Sequence, residues 1–520
     1  MSDISVNSVI IIGGGTSGWL TAAYLSQELG SYLDNGVKIT LIEASDVPTV
    51  GVGEGTFPTL RTTLAKIGLD EADFIREADA TFKQGLEFVN WQGNPTDEPH
   101  SYYHLFEPPR RIQNQIDLAP YWAMKPESER GAFARSVSFQ QDICEGRMAP
   151  KSLSDASFMA PMNYAYHLDA GKFAQVLKKR AKFARVEHVV GKVTGVNQTP
   201  DGNIESVTLA DGAVHKADLF IDCSGFKALL IGETLGEPKT DVRDTLFVDS
   251  AVVIRVPHDS PDAPIASATI CTAHEAGWSW DIGLKDRRGI GYTYSSKYST
   301  KERAEEVLRG YLKGAGADLE MRHVPMETGY RKVSWKKNCV AVGLSSGFLE
   351  PLEATGIALV ERAIDLIASY FPRSGNMRAA ADKYNTVMGH LYEDSISFIK
   401  LHYLLNGRDD HPFWTDNRKP EGVPEALKAH MLQWQHNYPR PMDFERWIKM
   451  FGDDSYQYIL LGLGHQPDLK ANASSYGFGR QAEAEFSTVK MATQNAMKAM
   501  PSHREIIEKI HASKVHFGQK

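Results

Sequence analysis

The chain has 520 residues, 42% apolar and 23% charged, the balance of a globular protein with ample material for a large core. A net charge of −8, a pI near 6.1 and the lack of any basic block argue against a nucleic-acid partner. The four cysteines (Cys144, Cys223, Cys271, Cys339) show neither a CxxC pair nor a disulfide-like spacing, no signal-peptide pattern opens the chain and no apolar run reaches bilayer length, so a cytoplasmic protein away from membranes is expected.

In chain order, Ser8 to Ile12 (SVIII) reads as a buried parallel strand, followed by glycines, a helical segment through Trp19 to Leu25 and a second strand, Val37 to Glu43. This is a βαβ opening. Alternation between Val186 and Leu209, with turn residues at Gly195 and Pro200 to Gly202, predicts an antiparallel meander. Ala217 to Asp222 is a further buried strand, ending in Cys223-Ser224-Gly225. Cys339 to Gly343 precedes a loop and a helix from about Thr355 to Tyr370. Later segments read mainly helical, with Lys498 to Lys520 as a solvated terminal helix. The expected fold is α/β: a nucleotide-binding body with mixed sheets over residues 1–370, interrupted by substrate-side segments, and a mainly helical, substrate-covering part over 371–520.

Gly13, Gly15 and Gly18 satisfy GxGxxG directly after a strand and at the start of a helix, the context that gives the pattern meaning. The first glycine permits the tight turn, the second lets backbone approach a pyrophosphate, and the third lets helix pack on strand. Thr16 and Ser17 belong to the same loop, whose N–H groups and helix dipole favour an anion. Glu43, ending the second strand, can take ribose hydroxyls. The motif alone leaves FAD and NAD open. The Asp222 to Gly225 strand end resembles the second nucleotide-contacting segment of FAD-dependent monooxygenase-like proteins, and Gly343 to Gly347 falls where that fold binds flavin. No second GxGxxG is present, so FAD is expected, reduced elsewhere by a separate flavin reductase.

Five segments carry a wider resemblance: GGGTSGW at Gly13 to Trp19; GVGEGT at Gly51 to Thr56; Phe82-Lys83 followed by Phe88-Val89-Asn90-Trp91; GWSWDIG at Gly277 to Gly283; and SGFLEPLEATG at Ser346 to Gly356. In this order they resemble the flavin-dependent tryptophan halogenases (tryptophan 7-halogenase-like), up to about residue 465. The resemblance implies that reduced FAD (FADH2) and O2 oxidise chloride or bromide to hypohalous acid. It places Lys83 as the residue that holds this oxidant and Glu353 as the carboxylate that stabilises the cationic ring and takes its proton. Taken alone, Lys83 would read as a surface lysine. The resemblance also puts Gly53 at the cofactor, the halide at the Thr355 and Gly356 amides, and Trp278 and Trp280 as a barrier between substrate and flavin. Two departures stand out. Gly283 replaces a proline, with local loosening expected. Ala354 replaces a serine that can bond the lysine, with bromide expected to turn over more easily than chloride.

His104 and Phe106 match positions flanking the aromatic substrate, and His402 and Tyr456 match others on the substrate side. Gln457 stands where tryptophan-specific members have a tyrosine, so indole, a substituted indole or a phenol fits as well as free tryptophan. His390 and Glu393 have metal-like spacing but no third ligand, so no metal is expected. A homodimer is compatible with the sequence. The competing functions are an FAD-dependent aromatic hydroxylase, which would need neither Lys83 nor the tryptophan pair, and a non-catalytic flavin-binding protein.

Overall fold

The computed structural model describes residues 5–46, 53–96, 98–373, 375, 377–444, 446, 448–512 and 515–518. Gly51 and Val52 of the GVGEGT segment lie outside them. The chain divides into two units, each assembled from three stretches: residues 1–80, 168–243 and 327–393 in one, and 81–167, 244–326 and 394–520 in the other.

The first unit is built on a six-stranded sheet in the order Glu187–Val190, Lys38–Glu43, Ser8–Ile12, Leu219–Asp222, Cys339–Ala341, Trp335–Lys336. All neighbours run parallel except the last pair. The run SVIII has four of five residues buried because it is a middle strand, covered on both faces. Four carboxyl ends therefore converge: Gly13, Glu43, Asp222 and Val342 follow or close adjacent strands, where open parallel sheets place their ligands. The expected meander is in part a hairpin, Val193–Gln198 against Ile204–Leu209, while Glu187–Val190 joins the main sheet.

The second unit holds a seven-stranded sheet in the order Arg322–Pro325, Ser250–Pro257, Arg287–Tyr294, Gly277–Gly283, Thr269–His274, Gly85–Val89, Ser101–Leu105. Its neighbours are antiparallel except Thr269–His274 with Gly85–Val89. Its later stretch is mainly helical, as expected, through Asp453–Gly462, Gly479–Ala499 and His503–Ala512. The terminal helix is not simply solvated. His503, Arg504, Ile506, Ile507 and Ile510 are buried, an apolar stripe at helical spacing that faces the protein. Gly283 is not a loosened position either. It is buried in a regular ladder opposite Arg288, and its carbonyl accepts the Thr81 hydroxyl at 2.6 Å. Among the described residues no helix is long and apolar enough to cross a membrane.

Candidate active site

In the first unit the glycine loop divides into positions with no room and one position with open space. A Cβ on Gly13, whose φ is +115°, would lie 2.2 Å from the Cys223 carbonyl oxygen, and one on Gly18 would lie 1.9 Å from the Gly13 oxygen. A Cβ on Gly15 would meet nothing within 4 Å. Gly15 caps the helix Thr16–Glu28, which has no side-chain cap and no acid in its first turn. Such a helix start presents unpaired N–H donors and the positive dipole end to an anion, and it fits a pyrophosphate. Gly343, at φ +74°, lies against Ser17: a Cβ there would come within 2.8 Å of the Ser17 Cβ.

Two acids of this region are already engaged. Glu43 takes Lys178 Nζ and His188 Nε2 at 2.7 Å and the Trp19 indole N–H at 3.3 Å. Burial alone would raise its carboxyl, but these partners outweigh burial and hold it below its usual range, so it is ionised at neutral pH. Asp222 is the second. One carboxylate oxygen accepts the Ser224 amide and hydroxyl, and the other accepts the Leu230 and Ile231 amides, at 2.6 to 3.0 Å. These four donors tie the buried carboxylate to the loop that follows the strand. Glu54, beside Gly53, has its carboxyl pushed up to about 7 by burial.

The segment Leu352–Ala354 leads into the helix Thr355–Ser369. Glu353 is 1% exposed. Glu353 (φ 65°) and Ala354 (φ 55°) are both left-handed, a conformation that costs L-residues energy and collects at functional sites. The helix has no side-chain cap and no acid in its first turn, and a Cβ on Gly356 would meet nothing within 4 Å. The start of this helix therefore offers amide donors beside open space.

In the second unit Lys83 ends the short strand Thr81–Lys83 and is 0% exposed, an unusual place for a lysine. Its Nζ lies 5.2 Å from the centre of the Phe106 ring. His104, buried on the edge strand, packs against Phe398, Phe451 and Tyr458. His402 stacks on Phe88 at 4.8 Å, with its Nδ1 3.2 Å from the Tyr102 hydroxyl. Tyr456 is buried against Trp434, Phe398 and Phe444. Trp278 and Trp280 share a strand face, their ring centres 6.2 Å apart. Trp280 lies across Gly291 of the neighbouring strand, where a Cβ would come within 2.1 Å of its ring.

Sequence reasoning missed Lys178 and His188 at Glu43, and His167, Thr269 and His503 in the surroundings of Lys83. His503 lies beyond the region of motif likeness, and the others are brought in by long-range pairing that no local pattern announces.

The tryptophan halogenase family profile matches residues 8–475. The chain belongs to this family. As a tryptophan halogenase it is an enzyme, and structures similar to it include flavin-dependent halogenases. It is 34% identical over 524 residues to the 7-chloro-L-tryptophan 6-halogenase KtzR of Kutzneria sp. (strain 744), covering 96% of this chain and 99% of that protein. It is 33% identical over 537 residues to the tryptophan 7-halogenase RebH of Lentzea aerocolonigenes, covering 97% and 99%. Among solved structures, the tryptophan halogenase of Shewanella frigidimarina NCIMB 400 superposes with a TM-score of 0.94 at 37% identity, covering 98% of this chain and 99% of that one. The flavin-dependent halogenase BrvH of Brevundimonas sp. BAL3 gives 0.86 at 33% identity, with 97% and 99% covered. The family's flavin dependence agrees with the open glycine cradle at Gly15.

Proposed function

We propose that this halogenase installs bromide or chloride on an electron-rich, indole-type ring, with Lys83 holding hypohalous acid and Glu353 assisting. The observation that carries the reading is the burial of Lys83 in a strand beside an aromatic ring, where an ammonium is costly unless it has a task. Gly13, Gly15, Gly18, Thr16, Ser17, Gly53 and Gly343 would hold FAD, with Glu43 at a ribose. Reduced flavin, supplied by a separate reductase, contributes with O2 the oxidising power that turns halide into hypohalous acid. The uncapped amides of Thr355 and Gly356 would hold the halide before that step, since an anion needs donors and positive potential but no shaped partner.

Lys83 is suited to receive the product because its ammonium is a compact donor to the hypohalous oxygen. As the ring carbon bonds to the halogen, the halogen–oxygen bond breaks and the oxygen takes a proton from the Lys83 ammonium and leaves as water. Glu353, as a carboxylate, stabilises the cationic ring and takes the proton from the substituted carbon. Trp278 and Trp280 would keep the substrate from the flavin, so that the halogen and not oxygen is transferred.

The relatives' names point to tryptophan as substrate. Two side chains argue against a site built for the carboxylate of a free amino acid, which fits an indole-type ring without one. Gln457 Nε2 is spent on the Pro439 carbonyl at 2.9 Å, and the Tyr458 hydroxyl on the Glu107 carbonyl at 2.7 Å. Neither donor is left to hold a carboxylate, while the buried Gln457 Oε1 has no partner and can accept from an amine.

The test is Lys83→Ala, supplied with reductase, FAD, NADH and bromide. Brominated product should disappear while FAD binding and flavin oxidation persist. An unchanged yield would remove Lys83 from the mechanism, and an oxygenated product formed without halide would favour the hydroxylase reading.

A further inference from the structure

We propose that His503 is a positioning residue for Lys83: it fixes the backbone from which the lysine side chain departs. The inference rests on the reading of Lys83 as the holder of the oxidant.

The strand that carries Lys83 has only three residues. It pairs along one side with Ala165–Leu168, Thr81 opposite His167 and Lys83 opposite Ala165. So short a strand has little ladder of its own to hold it. Three further contacts pin it. The Thr81 hydroxyl donates to the Gly283 carbonyl, the Gln84 N–H donates to the Ser267 carbonyl at 2.8 Å, and between them the Phe82 N–H donates to His503 Nε2 at 2.9 Å. The third of these is a side chain doing what a neighbouring strand would ordinarily do.

A backbone amide only donates, so Nε2 must carry the lone pair and His503 must be the neutral Nδ1–H tautomer. Its Nδ1 lies 3.4 Å from Ser267 Oγ, which itself donates to the Met148 carbonyl at 2.9 Å. Burial pushes His503 down to about 3, with Arg504 and Arg147 acting in the same direction against the Ile265 and Ala266 backbone. The acceptor is thus present across the neutral range. The imidazole is also rigidly mounted. The His503 backbone N–H donates to the Arg147 carbonyl at 2.9 Å, and the Arg504 side chain reaches the Ala263 and Lys285 carbonyls at 2.8 and 2.6 Å. A second buried imidazole, His167, lies on the same strand-pair face as Lys83, bonded to Thr269 Oγ1 at 2.7 Å and held neutral by burial and by the charge of Lys83.

A reactive group misplaced by about 1 Å can lose about 100-fold in rate. The test compares His503→Ala with His503→Gln, whose side-chain oxygen can accept the same amide. The quantities measured are thermal unfolding, FAD binding, brominated product, and free oxidant trapped by a dissolved β-diketone. The Ala variant should bind FAD and consume reduced flavin normally, yet divert oxidant to the trap, with the ratio of product to trapped oxidant falling about 10- to 100-fold. The Gln variant should recover most of that ratio. A ratio unchanged in the folded Ala variant overturns the proposal, whatever happens to stability. Should the Ala variant not fold, Gln against the shorter Asn gives the same comparison, and equal ratios again overturn it. Lys83→Ala serves as the control: if it leaves the ratio at the wild-type level, the underlying reading of Lys83 has failed rather than the role of His503.

Discussion

Glu353 and Ala354 are consecutive residues in the left-handed region, with φ of 65° and 55°, at the head of the helix whose first amides are the candidate halide donors. Neither is glycine, so the turn stores strain that surrounding packing must sustain. Ala354→Gly should relieve about 1 kcal/mol of it, because glycine reaches this region without a Cβ penalty. Chemical denaturation of both proteins should show the variant as the more stable, and a loss of stability would mean that the strain estimate is wrong.

On the proposed mechanism, the same residue should influence halide choice. With alanine at position 354, no side-chain hydroxyl is available there to position the lysine or its oxidant. Wild-type turnover should be faster in bromide, the more readily oxidised halide, than in chloride. Ala354→Ser should narrow that gap, as read from initial rates in each salt. Equal rates in the wild type would reject the idea.

The glycine loop separates folding from binding. Gly13→Ala puts a Cβ against the Cys223 carbonyl and at a positive φ, so thermal stability should fall. Gly15→Val should melt close to the wild type, because its added atoms enter open space, but FAD titration should show affinity at least about 10-fold weaker, since that space is where a pyrophosphate would approach. Tight FAD binding by the Gly15 variant would move the cofactor elsewhere.

Glu361 gives a pH signature. It is buried, bonded by the Thr63 and Thr59 hydroxyls at 2.5 and 3.0 Å, and burial raises its carboxyl from 4.5 to about 7. Between those values the folded chain binds the proton more readily than the unfolded one, so the stability it confers is full below 4.5 and is lost as pH rises to about 7. Glu361→Gln has no such titration. The variant should gain on the wild type by up to roughly 3 kcal/mol as pH climbs through this window, then keep a constant lead above it. Parallel curves from pH 4.5 to 8 would refute the shift.

The central sheet was legible because its strands are short β-branched runs bounded by glycine, and because the glycine motif sits at a strand end. The Thr355–Ser369 helix was legible from apolar spacing. The seven-stranded sheet was hidden. Its members are far apart in sequence, and the residues singled out on them, Phe88, Val89, His104 and the tryptophan pair, do not announce that their strands pair. Lys83 could be picked out only by likeness, since nothing local distinguishes a buried lysine from an exposed one. The partners of the Asp222 carboxylate were not legible: three amides and the Ser224 hydroxyl reach it only because the following loop folds back. Ile506, Ile507 and Ile510 had the spacing of a buried stripe, yet the charges interspersed among them masked it.

The contact between Phe82 and His503 spans 421 positions of chain. At a ribosomal pace of about 5–20 residues per second, the amide beside Lys83 leaves the exit tunnel roughly 20 to 80 seconds before its acceptor is made. During synthesis that strand edge waits unpaired, open to chaperones or to the wrong partner. The surroundings of Lys83 are therefore among the last parts of the nascent chain to mature.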